Sequence, residues 1–189
     1  MKVGVLALQG AFREHAEALD ALGARAVLVK RSAQVDSLDA LVVPGGESTT
    51  LCRLLDTSDL RKPLRRALRD GLPALGTCAG LIVFAAEVRD GRADQQPLGV
   101  LDVSIRRNGY GRQRDSFEAV VEVADLGSFP GVFIRAPVIE RVGPEVEVLA
   151  WHEDIPVLVR ERGIYGSSFH PELSGDLRLH QRFLSEVPA

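Results

Sequence analysis

The sequence predicts an α/β fold in three layers, with a mostly parallel central sheet, helices on both of its faces and additional antiparallel strands in the C-terminal half. Three observations support this prediction. Short apolar runs alternate with amphipathic helical patterns through residues 3–87, as in a parallel sheet that is buried on both faces. Beyond residue 96 the pattern changes to short β-rich segments. No linker, repeat or low-complexity segment interrupts the 189 residues, and we expect residues 1–189 to form one domain.

The parallel strands and their helices come from the first half of the chain. Residues 3–8 are apolar throughout, which favours a strand buried on both faces. Phe12, Ala16 and Leu19 then recur at helical spacing, and Gly23 ends that helix. By the same criteria we predict strands over residues 26–29, 40–43 and 74–75, and helices over residues 49–55, over residues 60–69 with Asp59 as the cap, and after Gly80 through Glu87.

The second half supplies shorter strands, several of which we expect to extend the main sheet in antiparallel orientation. They are predicted over residues 98–105, 117–123, 132–135, 146–151, 156–160 and 164–169. Residues 176–184 carry the apolar periodicity of a final helix, and the polar segment 108–116 is expected to be a mobile loop.

Charge and hydropathy exclude several classes of protein. Lys and Arg total 23 against 26 Asp and Glu, the formal net charge is -3, and no basic run could follow a phosphate backbone, so we expect no nucleic-acid partner. No apolar run approaches the roughly 18 residues of a membrane helix, and residues 1–8 are too short for the core of a signal peptide. We therefore expect a cytoplasmic protein without a membrane partner. Cys52 and Cys78 lie in no spacing that binds zinc, so the sequence predicts no metal centre.

A candidate nucleophile, Cys78, lies in the sequence Gly-Thr-Cys-Ala-Gly over residues 76–80. This segment follows a short strand and opens a helix, as in a nucleophile elbow, where the side chain stands on a tight turn above the sheet. Glycine suits both ends of the turn because a side chain there would collide with a neighbouring strand or helix. The start of the helix favours the reactive thiolate. The alternative for any free cysteine is a buried core position, and we prefer that interpretation for Cys52, which falls among leucines in a predicted helix.

His170 and Glu172 are the candidates for the base and for the group that orients it. A cysteine amidase needs an imidazole to move the thiol proton and later to protonate ammonia, and a further group to hold that imidazole. His170 follows a predicted strand, and Pro171 favours an extended backbone, so side chains two residues apart can point the same way. Reactive groups gather at the carboxyl ends of parallel strands, where Cys78 is also expected, and this favours a catalytic role over a histidine that merely bonds the backbone. The other three histidines are assigned to solvated helix faces or to a turn, namely His15, His180 and His152.

The loop Pro-Gly-Gly-Glu-Ser-Thr over residues 44–49 is a candidate oxyanion site. It follows a predicted strand and opens a helix, so the backbone N–H of Gly46 can face a developing negative charge, with the N–H of Ala79 as the second donor. One such donor stabilises a transition state by about 2.7–4 kcal/mol. A simple turn is the alternative, whereas a phosphate loop would need a Gly-Lys-Ser/Thr ending that this segment lacks.

These segments, with Ser-Phe-His-Pro-Glu-Leu over residues 168–173, together resemble the class I, or triad, glutamine amidotransferases. Further segments resemble one family among them, the glutaminase subunits of pyridoxal 5′-phosphate synthase. They are Leu-Gln-Gly-Ala at residues 8–11 with Glu14 and His15, Asn-Gly-Tyr-Gly-Arg-Gln at residues 108–113 with Asp115, Ser116 and Phe117, and Val-Phe-Ile-Arg-Ala-Pro at residues 132–137. The resemblance extends from Lys2 to the final helix and implies the flavodoxin-like form of the predicted fold.

The resemblance implies hydrolysis of L-glutamine to L-glutamate and ammonia through a cysteine thioester, with Cys78, His170 and Glu172 as the triad. It implies a hetero-oligomer in which ammonia passes to a synthase subunit that makes pyridoxal 5′-phosphate, and no cofactor or metal in the glutaminase itself. A guanidinium offers a planar fork of donors to the α-carboxylate of glutamine. Arg106 stands where the family often has an acidic residue, so either it or its neighbour could make this contact. The positions that hold glutamine in the family match Gly46, Glu47, Ser48, Arg107, Ile134 and Arg135.

Two other functions are compatible with these residues. The chain could be a glutaminase that serves a different acceptor, although the segments at residues 108–117 and 132–137 favour the vitamin B6 family. It could also be a catalytically silent subunit that keeps the fold for assembly. In that case a glutamine-like electrophile would leave Cys78 unmodified.

Overall fold

The computed structural model describes residues 1–92, 95–107, 109 and 116–188, so the predicted loop at residues 108–116 lies almost wholly outside the described residues. The strands are β1 (Lys2–Leu6), β2 (Arg25–Val29), β3 (Ala40–Val43), β4 (Ala74–Thr77), β5 (Ala85–Val88), β6 (Leu101–Arg106), β7 (Ser116–Val123), β8 (Gly127–Ile134), β9 (Val138–Val142), β10 (Glu147–His152), β11 (Ile155–Glu161) and β12 (Ile164–Ser167). The helices are α1 (Phe12–Ala21), α2 (Ser48–Thr57), α3 (Arg61–Arg69), α4 (Ala79–Phe84) and α5 (Arg178–Ser185), with 3-10 turns at Ser32–Ser37 and Pro171–Leu173. Within the described residues, every helix falls short of the length or the apolar character that a membrane span requires.

Among the described residues, the central sheet has nine strands in the order β2-β1-β3-β4-β12-β11-β10-β7-β8. Its first five strands pair in parallel, and the remaining four continue the sheet in antiparallel orientation. The predicted α/β class, with a parallel centre and antiparallel additions from the C-terminal half, is confirmed. Strand β12 joins the two parts, and this brings the C-terminal segment of the chain beside β4.

Successive residues of the parallel strands point to opposite faces, and helices cover both faces. Val42 of β3 packs in a core with α1 and α5, whereas Val43 packs in a second core with α2, α3 and α4. Burial on both faces explains why these strands are continuously apolar. Full burial of one such side chain contributes roughly 1.5–3 kcal/mol to the stability of the fold. The apolar strands therefore supply much of the energy that holds the helices against the two faces of the sheet.

A second sheet, in the order β5-β6-β9, belongs to the same core as α2, α3 and α4. The predicted helix through Glu87 is wrong here, because α4 ends at Phe84 and the next four residues form β5. Backbone N–H groups of residues 98–100 donate to the carbonyls of residues 83–85, with N–O distances between 2.6 and 3.2 Å. These bonds use the carbonyl groups at the end of α4, so the helix does not continue. Because residues 98–100 are engaged in them, β6 begins at Leu101 and not at the predicted residue 98.

Other differences from the expected elements are local. β9 is not predicted by the sequence pattern, and β8 begins at Gly127 rather than at residue 132, with Pro130 inside it. Proline is tolerated there because β8 is the edge strand of the large sheet. Asp59 does not cap α3, since the capping position is Leu60 and no side chain bonds the helix end. His152, expected in a turn, is the last residue of β10.

Two glycines allow α4 to start immediately after β4. A Cβ atom on Gly80 would overlap the carbonyl oxygen of Val43 in β3, and one on Gly76 would lie 2.7 Å from the ring of Phe84. Neither position can take a side chain unless the backbone moves. These close approaches hold the turn that carries Cys78 against the sheet.

We expect Gly80→Ala to lower the free energy of unfolding by about 1–3 kcal/mol or more, the usual cost of overpacking a core. The carbonyl of Val43 belongs to the sheet backbone and cannot rotate away from the new methyl group. Urea denaturation of the two proteins measures the difference. Alanine normally stabilises a helix by about 0.5–1 kcal/mol relative to glycine, so a more stable variant would contradict the close approach.

Candidate active site

The two candidate reactive side chains lie just beyond the carboxyl ends of neighbouring parallel strands. β4 and β12 pair with Thr77 opposite Ser167, and the N–H of Cys78 donates a hydrogen bond of 2.8 Å to the carbonyl of Ser167. The N–H of His170 donates a hydrogen bond of 2.8 Å to the carbonyl of Val132 in β8. The structure thus brings Cys78 and His170 together at the edge of the sheet where both are expected from the sequence.

Strand β8 reaches this edge because the antiparallel part of the sheet curls back over it. Three strands separate β8 from β12, yet the rings of Phe129 and Phe133 pack against Phe169 with centroid distances of 5.8 and 5.7 Å. At the end of β8, the carbonyl oxygen of Ile134 lies 3.8 Å from the Sγ of Cys78. β8 therefore forms a wall of the site.

Cys78 has the backbone strain of a nucleophile elbow. Its φ of 48° and ψ of -99° are unusual for a residue other than glycine. Strain of this kind persists where the surrounding structure imposes it, and it clusters at functional sites. The residue is 7% exposed, so a small molecule can reach the sulfur while bulk water is largely excluded.

His170 is held between the cysteine and a buried carboxylate. Its Nδ1 lies 2.8 Å from the Oε1 of Glu172, which leaves Nε2 for Cys78. Burial opposes a charge on the ring, but hydrogen bonds to Cys78 and Glu172 outweigh burial and raise the pKa of His170 to about 10. The imidazole is therefore protonated at neutral pH and can supply a proton to a leaving group. Gly45 makes room for the ring, since a Cβ atom there would lie 2.9 Å from Nδ1.

Two further histidines lie behind Glu172. The predicted solvated positions of His15 and His180 are wrong, because both side chains are fully buried. The Nε2 of His15 lies 3.3 Å from the Oε2 of Glu172, and its Nδ1 lies 2.9 Å from the Nε2 of His180. The charged residues next to each histidine in the sequence led to the prediction of an exposed position. Helical spacing could have indicated burial, because His15 lies four residues before the buried Leu19, and His180 lies three residues before the buried Phe183.

Glu172 is ionised although its side chain is completely buried. Burial alone would raise the pKa of this carboxyl, but His15 and the hydrogen bond with His170 outweigh burial and lower the pKa below its ordinary value. The site therefore holds a negative carboxylate against a positive imidazole, and this pair keeps the ring in one orientation.

The loop before α2 presents a backbone N–H group beside the cysteine. The N–H of Gly45 is already used, because it donates a bond of 3.0 Å to the Oγ1 of Thr77. The N–H groups of Gly46 and Ala79 have no hydrogen-bond partner within the described ranges. Both N–H groups therefore remain free to bond another acceptor.

Glu47 caps α2, a role not expected from the sequence. Its two carboxylate oxygens accept hydrogen bonds from the N–H groups of Thr49 and Thr50 at 3.1 and 2.6 Å. Partial burial opposes the charge, but these bonds and the nearby Arg107 lower the pKa of Glu47. The carboxylate is therefore ionised and held at the start of the helix.

Arg107, and not Arg106, faces the site. Its guanidinium donates hydrogen bonds of 2.9 Å to the Oε1 of Gln95 and 3.1 Å to the Oε1 of Glu47. Arg106 instead pairs with Glu140 of β9. Gln95 is buried and orients the guanidinium, but no sequence signal marks it, because a single glutamine in a loop has no spacing that indicates a role.

These groups enclose a cavity of about 150 Å³. All six predicted substrate-binding positions line it, together with the sulfur and imidazole groups. Ile82 also lines the cavity and lies one helical turn after Cys78, whereas Ala79 and Glu172 are not among the lining residues. In the part of the chain that the structure describes, no group of three or more His, Cys, Asp or Glu side chains could hold a metal ion. The lining residues are Gly46, Glu47, Ser48, Cys78, Ile82, Arg107, Ile134, Arg135 and His170.

Replacing Glu172 with glutamine should lower the pKa of His170. The carboxylate is one of the two groups that raise this pKa to about 10, so its loss should move the titration toward the ordinary value near 6.5. A ring is protonated below its pKa, and the Glu172→Gln ring should therefore lose its proton at lower pH than the wild-type ring. NMR titration of the imidazole, assigned with a His170→Asn variant, measures the midpoint. An unchanged midpoint in a folded Glu172→Gln protein would contradict the contact.

The chain also resembles known proteins along its whole length. A family model described as the SNO glutamine amidotransferase family matches residues 5–189. The pyridoxal 5′-phosphate synthase subunit PdxT of Nocardia farcinica is 51% identical over 194 residues, which cover 99% of this chain and 86% of that protein. The subunit of the same name from Thermotoga neapolitana is 49% identical over 189 residues, which cover 99% of this chain and 100% of that protein.

Solved structures share the fold. A crystal structure of a glutamine amidotransferase superposes with a TM-score of 0.92 at 52% identity, covering 97% of each chain. The structure of PurLQS from Thermotoga maritima superposes with a TM-score of 0.68 at 16% identity, covering 99% of each chain. At that level of identity the second likeness concerns the fold alone.

Proposed function

Because the chain belongs to the SNO glutamine amidotransferase family, we propose that it is the glutaminase subunit of a pyridoxal 5′-phosphate synthase. It hydrolyses L-glutamine to L-glutamate and ammonia, and it delivers the ammonia to the synthase subunit, its partner in a hetero-oligomer. The observation that carries the proposal is the contact of His170 with both Cys78 and Glu172, beside a cavity that Arg107 lines. This arrangement supplies a nucleophile, a proton carrier and a binding group for an amino-acid carboxylate.

The first half of the reaction forms a thioester. The Cys78 thiolate attacks the side-chain carbonyl carbon of glutamine, and the N–H groups of Gly46 and Ala79 stabilise the oxyanion. His170 gives its proton to the amide nitrogen, the carbon–nitrogen bond breaks, and ammonia leaves. Glu172 holds the imidazole in place and balances its charge before the transfer.

The second half releases glutamate. Neutral His170 takes a proton from water, and the hydroxide attacks the thioester carbon while Gly46 and Ala79 again hold the oxyanion. The carbon–sulfur bond breaks, which restores the Cys78 thiolate and the protonated imidazole. The cycle therefore consumes one water and needs neither a cofactor nor a metal.

Substrate recognition depends on two opposite charges at the cavity wall. Arg107 binds the α-carboxylate through its planar fork, and Gln95 and Glu47 hold that fork in position. Glu47 keeps a negative charge near the α-ammonium group, with Ser48 beside it. The remaining contacts come from Ile134 and Arg135, at the end of β8.

We infer that residues 1–189 form one glutaminase domain and that the protein is cytoplasmic. The family match begins at residue 5 and extends to residue 189, which supports one functional unit. Both cysteines are free thiols, as expected in a reducing compartment. Ammonia released without an acceptor would be wasted, which supports a partner subunit that consumes it.

When the chain is in complex with its synthase partner, a chloroketone analogue of L-glutamine should alkylate Cys78 and leave Cys52 unmodified. The Cys52 side chain is fully buried, and burial raises the pKa of its thiol, so it stays protonated and unreactive. L-glutamine should protect Cys78, because both molecules occupy the same cavity. Mass spectrometry of the peptides identifies the labelled residue.

Two serine variants provide the matched control for this experiment. Cys78→Ser should reduce ammonia release by several orders of magnitude, as removal of a nucleophile does, whereas Cys52→Ser should retain it. The proposal is wrong, and the chain serves assembly alone, if the wild-type complex releases no ammonia from glutamine and neither cysteine is labelled.

Arg107→Lys should raise the KM for L-glutamine by roughly 10- to 100-fold with little change in kcat. A hydrogen bond between charged groups contributes about 1.5–3 kcal/mol, and lysine cannot present two coplanar donors. Arg106→Lys makes the same chemical change at the neighbouring residue, which pairs with Glu140, and should leave KM nearly unchanged. Steady-state kinetics of the Arg107→Lys and Arg106→Lys complexes measure KM and kcat for each variant. The reverse pattern would assign the carboxylate contact to Arg106.

A further inference from the structure

Behind the triad lies a buried polar network that the proposed reaction does not use. His15 of α1, Thr77 of β4 and His180 of α5 are all fully buried. The Nε2 of His15 lies 3.1 Å from the Oγ1 of Thr77 and 3.3 Å from the Oε2 of Glu172. Its Nδ1 lies 2.9 Å from the Nε2 of His180. Three elements of the fold thus meet at His15, which faces the carboxylate that orients the catalytic imidazole.

Both imidazoles of this network are neutral. Burial lowers the pKa of His15, and burial together with the neighbouring His15 lowers the pKa of His180 to about 3. Two neutral rings that meet nitrogen to nitrogen share a single proton, so one ring donates and the other accepts. The direction of this bond therefore determines whether the Nε2 of His15, which faces Glu172, carries a proton.

The carboxylate decides between the two directions. If His180 donates, the Nε2 of His15 carries its proton toward Thr77 and Glu172. If His15 donates, its Nε2 presents a lone pair to the Oε2 of Glu172 at 3.3 Å, and the Nδ1 of His180 holds a proton that no described residue accepts. The hydroxyl of Thr77 can bond Nε2 in either direction, by accepting its proton or by donating to its lone pair. The charged oxygen therefore decides, because it repels a lone pair and attracts an N–H, and this favours donation by His180.

Glu172 needs this N–H group. Its Oε1 contacts His170, but its Oε2 is buried and has no hydrogen bond within the described residues. A buried charged oxygen without a polar neighbour is costly. The group that faces it, at 3.3 Å, is the Nε2 of His15. The N–H dipole of His15 therefore stabilises the anion at the oxygen that His170 does not contact.

We propose that His15 is a positioning residue of the glutaminase, which holds Glu172 ionised and in a fixed orientation so that Glu172 can hold His170. The inference rests on the proposed glutaminase function. His15 does not line the cavity, so it acts through Glu172 and not on glutamine. It also supports the oxyanion loop, because the Oγ1 of Thr77 that it contacts accepts the N–H of Gly45.

Two amides at position 15 provide a matched test in the complex with the synthase subunit. The side chain of His15→Gln can place an N–H where Nε2 now lies, whereas the shorter side chain of His15→Asn reaches only the position of Nδ1. Both side chains are neutral amides, and each can keep one contact of the ring: glutamine the contact of Nε2 with Glu172, and asparagine the contact of Nδ1 with His180. The measurements are kcat and KM for L-glutamine as functions of pH, with thermal unfolding of each variant.

His15→Asn should lose about 10- to 100-fold in kcat, the usual effect of removing a group that orients a functional side chain, while KM stays nearly the same. The alkaline limb of its pH profile should move to lower pH, because a carboxylate that is held less firmly raises the pKa of His170 less. His15→Gln should retain both properties of the wild type. The titratable groups that face position 15 are the same in both variants, namely Glu172, His170, His180 and Glu14.

Nitrogen NMR of the wild-type rings adds a test that needs no variant. Both His15 and His180 should carry their proton on Nε2, and a proton on the Nδ1 of His15 would overturn the inference. So would a His15→Asn complex with wild-type kcat and pH profile, or equal losses in the two variants, which would indicate packing alone. A wild-type complex that releases no ammonia would refute the proposed function itself.

Discussion

The parallel pairing of β4 with β12 is the constraint on which the rest of the site depends. Two strands in register end at the same level, and the chain turns away sharply after each of them, at Cys78 and at His170. A slip of one residue would displace one reactive group by about 3.3 Å along its strand and would turn its side chains to the opposite face. The positions of the two reactive groups thus depend first on backbone hydrogen bonds between these strands. Glycine at residues 76 and 80 permits this geometry, because a side chain at either position would collide with its neighbours.

Few groups at the buried centre carry charge. The carboxylate of Glu172 and, in the proposed reaction, the thiolate of Cys78 both contact the one protonated imidazole, His170, while the two deeper histidines remain neutral. A buried ion pair stabilises a protein only when its remaining hydrogen-bonding positions are filled, since desolvation otherwise exceeds the attraction. The histidines of α1 and α5 help to meet this requirement, and they join two helices on one face of the sheet to the chemistry at its edge.

Sequence reasoning succeeds here where the signal is local. The apolar strands, the turn around Cys78 and the strand-end His170 each follow from a few neighbouring residues, and the α/β class follows from their order. It fails where distant segments compete or cooperate. The end of α4 depends on residues 98–100, the burial of His15 depends on α5, and the choice of Arg107 over Arg106 depends on Gln95 and Glu140. Spacing along the chain contains none of these contacts.

The curvature of the large sheet also affects the width of the cavity, because β8 forms one of its walls. β8 is the outermost strand, yet its Val132 carbonyl accepts a hydrogen bond from the N–H of His170, and its Ile134 carbonyl lies 3.8 Å from the Sγ of Cys78. The wall is therefore tied to Cys78 and His170 directly by these contacts, and it is also joined to them through the three intervening strands, whose accumulated twist sets its angle of approach. A small change of curvature in the antiparallel half would lengthen or shorten the contacts from β8 and so change the width of the cavity, while the register of β4 with β12 stays the same.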